Sequence, residues 1–449
     1  MIAEHRARRR AALAGPRRSQ YVKQMSGRIV LYGATGYTGR LTAQALLARG
    51  ARPVLAGRDP GRLTAVAARL AQPGVDGAEL ETAVAGADGP AGIRALIGSG
   101  DVLVSTAGPF VRAGAAAVSA AVSAGAVYLD STGEPPFIRR VFEEFGPQAQ
   151  RSGAVLLTAF GHDYVPGNLA GALALREAGA GATRVDIGYF ARGDMRRGSS
   201  AGTRASAAGV MLEPGYAFRD GRLVTQRPAA ELRTFHVRGK ALDAISVGGT
   251  EQFTLPRLRP AGPGGGGAPG ALRDVGVYLG WFGPATRTVH RLSAAAPLLR
   301  RAPGLQGLIG SQAARIQRSR AEPDPAEPIR VDVVAVASGA DGSTLAEVQL
   351  SGADPYTFTG SILAWAACRA LEGKLATPPG AAGAAGAAAP AGEGAAGAAG
   401  TATPAAGDTG TPAGAGSGHL APRGALGPVE AFGLDELTAG CAEAGLTRA

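Results

Sequence analysis

Apolar and polar positions change their period twice along this chain. From residue 28 to about 160, short apolar runs alternate with longer stretches whose apolar residues recur at helical spacing. The runs predict strands over 28–32, 53–56, 79–84, 101–106, 127–131 and 154–159. The stretches between them predict helices over 37–49, 60–70, 90–97, 113–124 and 136–150. Strands alternating with helices predict a parallel, doubly wound sheet, an α/β Rossmann-type domain over residues 25–165. In such a sheet, ligands lie outside the carboxyl ends of the strands.

After residue 165 the rhythm changes. Segment 166–175 reads as a helix, 183–190 as a strand and 202–212 as a helix. Hairpin-like runs follow at 216–225, 233–238, 244–247 and 252–255, then at 331–338 and 344–350, the first and last pairs turning at Asp220-Gly221 and Asp341-Gly342. This predicts a second, α+β domain over 166–354 with a mainly antiparallel sheet, crossed by a flexible glycine-rich loop at 261–270. A strong helix over 355–371 opens a C-terminal segment (355–379 and 421–449) that is expected to return to the first domain. In that segment Leu434, Leu437, Cys441 and Leu446 are placed on one helix face. Residues 380–420 are almost wholly Ala, Gly, Pro and Thr and predict a disordered insertion, with too little apolar bulk to repay ordering.

The 449 residues leave room for two domains. Two cysteines, Cys368 and Cys441, give no disulfide framework and suggest a reducing, cytoplasmic compartment. Five scattered histidines show no metal-ligand spacing, and no apolar run is long enough to span a membrane. The net charge of +11 is concentrated at the start, where Arg6, Arg8, Arg9, Arg10, Arg17, Arg18 and Lys23 face only Glu4. Met25-Ser-Gly reads as a natural start, and residues 1–24 as a disordered basic extension and not a nucleic-acid arm.

The most specific chemistry follows the first strand. Gly33-Ala34-Thr35-Gly36-Tyr37-Thr38-Gly39 is a glycine-punctuated turn between a strand and an amphipathic helix. Such a turn brings backbone N–H groups to a pyrophosphate at the helix N-terminus. The second strand ends in Arg58, where an NAD site usually presents a carboxylate to the ribose 2′-OH. A guanidinium there suits a 2′-phosphate, so the expected cofactor is NADP. Arg62 lies one helical turn on, and Asp59 before Pro60 reads as an N-cap.

Further stretches complete a pattern: Ala56-Gly-Arg58, Thr106-Ala107-Gly108-Pro109-Phe110, Tyr128-Leu-Asp130-Ser-Thr-Gly-Glu134 and Gly161-His162-Asp163-Tyr164-Val-Pro166. To these add Ser200-Ala-Gly-Thr-Arg-Ala205 and Asp354-Pro-Tyr356. Together with the glycine turn, the set resembles the saccharopine dehydrogenase-like, NADP-binding oxidoreductases, including the trans-acting enoyl reductases of actinobacterial lipid and polyketide pathways. The resemblance runs over 26–379 and resumes after 424. Where that family has Gly-Phe/Tyr-Asp-Ser-Val-Pro, this chain has His162 and Tyr164 in place of the aromatic and the serine.

On these positions, Ala107 and Gly108 leave backbone open beside a ribose and nicotinamide, Pro109 stiffens the turn, and Phe110 is placed to shield the ring. Asp130, Ser131, Thr132 and Glu134 crowd the end of the fifth strand, facing the same cleft. Glu134 equally fits a cap on the helix that starts at Pro135-Pro136. Asp130 is assigned to the cofactor. His162 and Tyr164 are candidate proton donors, and Asp163 joins them as a catalytic candidate or as a residue that ties the loop to backbone N–H groups. The resemblance also turns Arg196, Arg197, Ser199, Ser200, Thr203 and Arg204 toward the cleft, where they would hold an acidic or carrier-linked substrate.

The expected activity is NADPH-dependent hydride transfer to a C=C, C=O or C=N bond of a small-molecule or acyl-type substrate. No nucleic acid or membrane partner is expected, and a homodimer is left open. Two other readings stand beside it. A short-chain dehydrogenase uses a similar glycine turn but needs Tyr-x-x-x-Lys, and the lysines here are only Lys23, Lys240 and Lys374. A non-catalytic NADP-binding redox sensor requires the same cofactor loop without the acid–base groups.

Overall fold

The computed structural model describes residues 27–71, 79–86, 89–193, 213–258, 271–295, 322–323, 329–352, 354–376 and 423–449. The basic extension, the expected helix at 202–212, the Arg196–Arg204 stretch, the glycine-rich loop at 261–270 and the insertion at 380–420 lie outside them.

Two sheets organise the chain. The first has seven strands in the order β15-β6-β5-β4-β1-β2-β3. They are β1 (Ile29–Tyr32), β2 (Val54–Gly57), β3 (Thr82–Val84), β4 (Val102–Ser105), β5 (Val127–Asp130), β6 (Val155–Leu157) and β15 (Gly424–Ala425). Every neighbouring pair is parallel. Strand β1 is Ile-Val-Leu-Tyr with all four residues buried, the continuous apolar run expected of a strand covered on both faces. The covering helices are α1 (Tyr37–Ala48), α2 (Pro60–Leu70), α3 (Pro90–Arg94), α4 (Phe110–Ala124), α5 (Pro135–Arg140) and α6 (Gly146–Ser152), the last two joined by one π-helical turn. Asp59 caps α2, accepting from Arg62 N at 3.1 Å with Pro60 in the first turn.

The second sheet runs β10-β11-β12-β7-β13-β14-β16, with the β8–β9 hairpin attached to β12. Its strands are β7 (Arg184–Arg192), β8 (Gly215–Arg219), β9 (Arg222–Gln226), β10 (Leu232–Val237), β11 (Lys240–Ser246), β12 (Asp274–Leu279), β13 (Arg330–Ser338), β14 (Thr344–Gly352) and β16 (Leu446–Arg448). All its pairings are antiparallel except β12 on β7. Strand β12, next to the glycine-rich segment, is not among the predicted strands. Segment 252–255, predicted as a strand, is the middle of helix α8 (Glu251–Leu258).

Helix α7 (Val165–Ala178) joins the sheets. Its residues 165–175 are all buried, so it reads as apolar all round. It packs on β7, β13 and β14, while α8, α11 (Pro428–Phe432) and α12 (Leu434–Glu443) cover it. Between α8 and α11 in the chain come α9 (Thr286–Leu292) and α10 (Pro355–Leu371); α10 lies against α1. One hydrophobic core therefore runs from Leu31 and Leu55 of the first sheet, through Leu169 and Ile362, to Ile187 and Val333 of the second. The C-terminal segment divides its contacts. Strand β15 extends the first sheet beside β6, whereas Leu446 leaves the expected helix face and starts β16, which extends the second sheet beside β14.

Candidate active site

The loop after β1 is shaped by two glycines. Gly33 has φ +87°, and a Cβ there would lie 2.8 Å from Ala107 N. A Cβ on Gly39 would lie 2.4 Å from the Gly33 carbonyl oxygen, so only glycine lets α1 pack this closely on the turn. Gly33 and Ala34 donate to the Ala56 carbonyl at 2.9 and 3.2 Å. Thr106 Oγ1 donates to the Tyr32 and Gly33 carbonyls at 3.3 and 3.2 Å. Gly36 is the N-cap of α1 and brings no side chain. Among the described residues the N–H groups of Tyr37, Thr38 and Gly39 have no acceptor. The result is an open, positively polarised helix N-terminus with room for a diphosphate.

Cations surround this loop. Arg40 Nη1 and Arg62 Nη2 each donate to the Thr35 carbonyl at 3.2 Å. Arg58 is exposed at the end of β2 and has no partner among the described residues. Ala107, Gly108 and Pro109 lie at the neighbouring strand end, with a cis Gly108–Pro109 bond.

Phe110, expected to shield the nicotinamide ring, packs inward at the start of α4. It is buried, 5.6 Å from Phe137 between ring centroids, because it begins α4 on the helix's inward face. Asp130, expected at the cofactor, lies beneath the strand ends. It is fully buried, and its carboxylate accepts from Thr132 N (2.9 Å), Ala159 N (2.8 Å) and Thr158 Oγ1 (2.7 Å). Those bonds tie the ends of β5 and β6 together. Burial pushes its pKa up to about 6 against these hydrogen bonds. Glu134 is the N-cap residue of α5 through its backbone carbonyl, while its carboxylate caps α4, accepting from Phe110 N and Val111 N.

The three candidate acid–base residues separate. Tyr164 is buried in the core and its hydroxyl donates to the Gly248 carbonyl at 3.0 Å. It is not among the residues that line the cleft. His162 and Asp163 do line it, together with Thr38, Ser131, Ala191, Trp281, Val331 and Tyr356. The cleft holds a cavity of about 80 Å³ between the first sheet's carboxyl edge, the second sheet and the start of α10. His162 is 4% exposed, and neither ring nitrogen has a hydrogen-bond partner among the described residues. Burial lowers its pKa to about 4, so the ring is neutral at physiological pH. Its backbone N–H donates to Thr359 Oγ1 of α10 at 3.0 Å. Among the described residues Asp163 has no hydrogen-bond partner, and burial raises its pKa to about 6. Tyr37 and Tyr356 meet edge to face at the mouth, with centroids 5.3 Å apart. Trp281, just beyond β12, carries no motif around it in the sequence; its rarity, as one of two tryptophans, is the only signal. Among the described residues no group of His, Cys, Asp and Glu could hold a metal, and no helix is long and apolar enough to cross a membrane.

Residues 29–157 match the family model of the saccharopine dehydrogenase NADP binding domain. That segment is a saccharopine dehydrogenase-type NADP binding domain. The matched residues hold strands β1–β6 of the first sheet with the glycine turn, and they form the nicotinamide-dinucleotide domain of the protein. Two mycobacterial relatives share the sequence. A provisionally named trans-acting enoyl reductase of Mycobacterium tuberculosis is 40% identical over 188 residues, 41% of this chain and 44% of its own length. A trans-acting enoyl reductase of Mycobacterium ulcerans is 41% identical over 143 residues, 31% of this chain and 34% of its own. The matches thus span less than half the length of these relatives. The solved structure of a meso-dapdh mutant with DAP from Clostridium tetani is 13% identical and covers 77% of this chain and 91% of its own, with a TM-score of 0.35, too low to bear on the reading of the site.

Proposed function

We propose that this saccharopine dehydrogenase-like protein is an NADPH-dependent oxidoreductase that reduces a C=C, C=O or C=N bond of an acyl-type substrate. The observation that carries the reading is the shared wall of the two sites. Thr38 belongs to the glycine turn and also lines the cleft that holds His162 and Asp163. A cofactor whose diphosphate lies on the N-terminus of α1 would extend its nicotinamide along the strand ends toward that cleft.

The residues fit the cofactor. The space that a Cβ on Gly33 or Gly39 would fill stays open, the first N–H groups of α1 are unpaired, and Arg58 has a free guanidinium for a 2′-phosphate. When bound, NADPH supplies the hydride. The protein binds and orients both partners, and Tyr37 and Tyr356 narrow the mouth against water. Asp163, with its pKa near 6, is the group in the cleft that can return a proton to the reduced substrate at neutral pH. His162 stays neutral and offers one N–H and one lone pair. The enoyl reductase names of the mycobacterial relatives favour a conjugated C=C bond. Fluorescence titration with NADPH tests the reading: micromolar binding supports it, and absence of binding to either nicotinamide cofactor overturns it.

A further inference from the structure

The loop after β5 alternates in burial. Asp130, Thr132 and Glu134 are buried, and Ser131 and Gly133 between them are partly exposed. The three buried residues hold the loop. Asp130 ties it to Thr158 and Ala159, Thr132 Oγ1 accepts from Glu134 N at 3.1 Å, and Glu134 reaches the first turn of α4. Ser131 is part of the cleft wall. Gly133 is a glycine although its backbone lies outside the left-handed region that favours one.

What excludes a side chain there is Asp163. A Cβ on Gly133 would lie 2.6 Å from Asp163 Oδ2 and 3.3 Å from its Cγ. Apart from its chain neighbours, no other atom of the described residues comes within 4 Å. The carboxyl group therefore rests against the bare Cα of Gly133. It has no hydrogen-bond partner among the described residues, so this contact helps to fix where it points. Both backbones are pinned around the contact. His162 N donates to Thr359 Oγ1 at 3.0 Å and Val165 N to the Gly161 carbonyl at 3.0 Å, on either side of Asp163. An added Cβ is accommodated by turning the carboxyl group, whose open side is the cleft it lines.

We propose that Gly133 is a positioning residue, whose missing side chain lets the Asp163 carboxyl group lie back against the cleft wall, clear of the substrate and aimed for proton return. This rests on the reading of Asp163 as the group that protonates the reduced substrate. Gly133→Ala then pushes the carboxyl group into the cleft. There it gains water in the free protein and stands in the substrate's way.

A double-mutant cycle on the full-length chain tests the contact. Native, Gly133→Ala, Asp163→Ala and doubly substituted chains are unfolded by urea at pH 4 and pH 7. At pH 4 the Asp163 carboxyl group is protonated in the folded chain. In the Asp163→Ala chain the new methyl meets nothing, so Gly133→Ala is expected to raise the urea midpoint by restricting the unfolded chain. In the native chain the same change is expected to lower it. Equal changes in both backgrounds overturn the proposal. The second pH reads where the carboxyl group lies. Relative to Asp163→Ala, the native chain loses stability from pH 4 to pH 7 because it buries a charge. Gly133→Ala is expected to cut that loss by about half or more. His162 and Glu251 titrate in all four chains and cancel in the comparison. An undiminished loss overturns the displacement. Steady-state NADPH oxidation by the crotonyl thioester of N-acetylcysteamine reads the role in turnover. Gly133→Ala is expected to raise KM by about tenfold or more and to lower kcat, with NADPH affinity unchanged. Unchanged KM and kcat overturn the positioning role even where the cycle shows the contact. A native chain that binds NADPH without oxidising it overturns the enoyl reading alone, and the cycle still decides Gly133. Absence of NADPH binding overturns the reductase reading itself.

Discussion

The carboxylate of Glu134 accepts from Phe110 N at 3.0 Å and from Val111 N at 2.9 Å, capping a helix that begins 24 residues earlier in the chain. Glu134 is 4% exposed and lies just after β5, so one side chain both satisfies two N–H groups of α4 and holds the β4 and β5 strand ends in register around the cleft. Replacement by Ala leaves two N–H groups of the first turn unpaired, one of them on a buried residue. The expected cost of Glu134→Ala is about 1–3 kcal/mol, read as a lower urea midpoint with an unchanged slope. A variant as stable as the native chain would show that the cap carries no weight.

Much of this arrangement is legible in the sequence, and the exceptions have physical causes. Strands β1, β4 and β5 read as apolar runs because parallel strands are buried on both faces. The glycine turn reads because Gly33 and Gly39 sit where a Cβ cannot. Segment 252–255 alternates Gln-Phe-Thr-Leu and fits a strand by period, yet it is helical. Gln252 Oε1 accepts from Gly249 N at 2.6 Å, and Thr254 Oγ1 donates to the Thr250 carbonyl at 3.0 Å. Such tertiary and capping partners leave no trace in a hydrophobic pattern. The surroundings of Asp130 are hidden for a similar reason. At a strand end a carboxylate looks aimed at the cofactor, and only the position of Thr158 and Ala159 shows it turned inward. Trp281 is found through the cleft it lines, which a sequence does not show.

Arg58 tests the choice of cofactor. It is the unpaired guanidinium at the end of β2, whereas Arg62 is held by the Thr35 carbonyl. A charge-assisted pair with a 2′-phosphate contributes about 1.5–3 kcal/mol, or roughly ten- to a hundredfold in affinity. Arg58→Ala is expected to weaken NADPH binding by that factor and to leave NADH binding within about twofold. Equal losses for both cofactors would move 2′-phosphate recognition to another residue. Arg62→Ala is expected to weaken both, because it also loosens the loop.

Glu251 lies at the start of α8 with no exposed surface, accepting from the Tyr189 hydroxyl at 2.5 Å. Burial raises its pKa to about 8, so at pH 7 the carboxyl is mostly protonated. An amide of the same shape then replaces it at small cost. Glu251→Gln is expected to match the native chain below about pH 4.5 and to exceed it in stability at pH 7 by up to about 3 kcal/mol, at 1.36 kcal/mol per pH unit. The folded pKa lies above the unfolded one, so this group's contribution is fully present below about pH 4.5 and declines as pH rises to about 8. The variant should therefore lose less stability than the native chain between pH 6 and 8.5, measured by urea titration across that range. Parallel pH profiles would show that Glu251 is ionised in the folded protein.

Asp163 sets stability against activity. Its pKa rises from the ordinary 3.8 to about 6 because burial penalises the charged form and no cation faces it in the described cleft. Between these values the folded state holds its proton more tightly than the unfolded chain, so stability falls as pH rises from about 4 to 6 and stays lowered above that. The penalty is at most about 3 kcal/mol at 1.36 kcal/mol per pH unit. His162 acts on the acid side: its folded pKa of about 4 lies below the ordinary 6.5, so stability is lost as pH falls through that interval. Asp163→Asn is expected to match the native chain near pH 4, to exceed it in stability at pH 8 by up to that amount, and to keep its NADPH affinity. If Asp163 returns the proton to the substrate, turnover should drop by about a hundredfold or more. Urea midpoints at pH 4, 6 and 8, set beside single-turnover NADPH oxidation, separate the two effects. A gain in stability with unchanged turnover would make Asp163 only an uncompensated buried charge and move the proton donor elsewhere in the cleft.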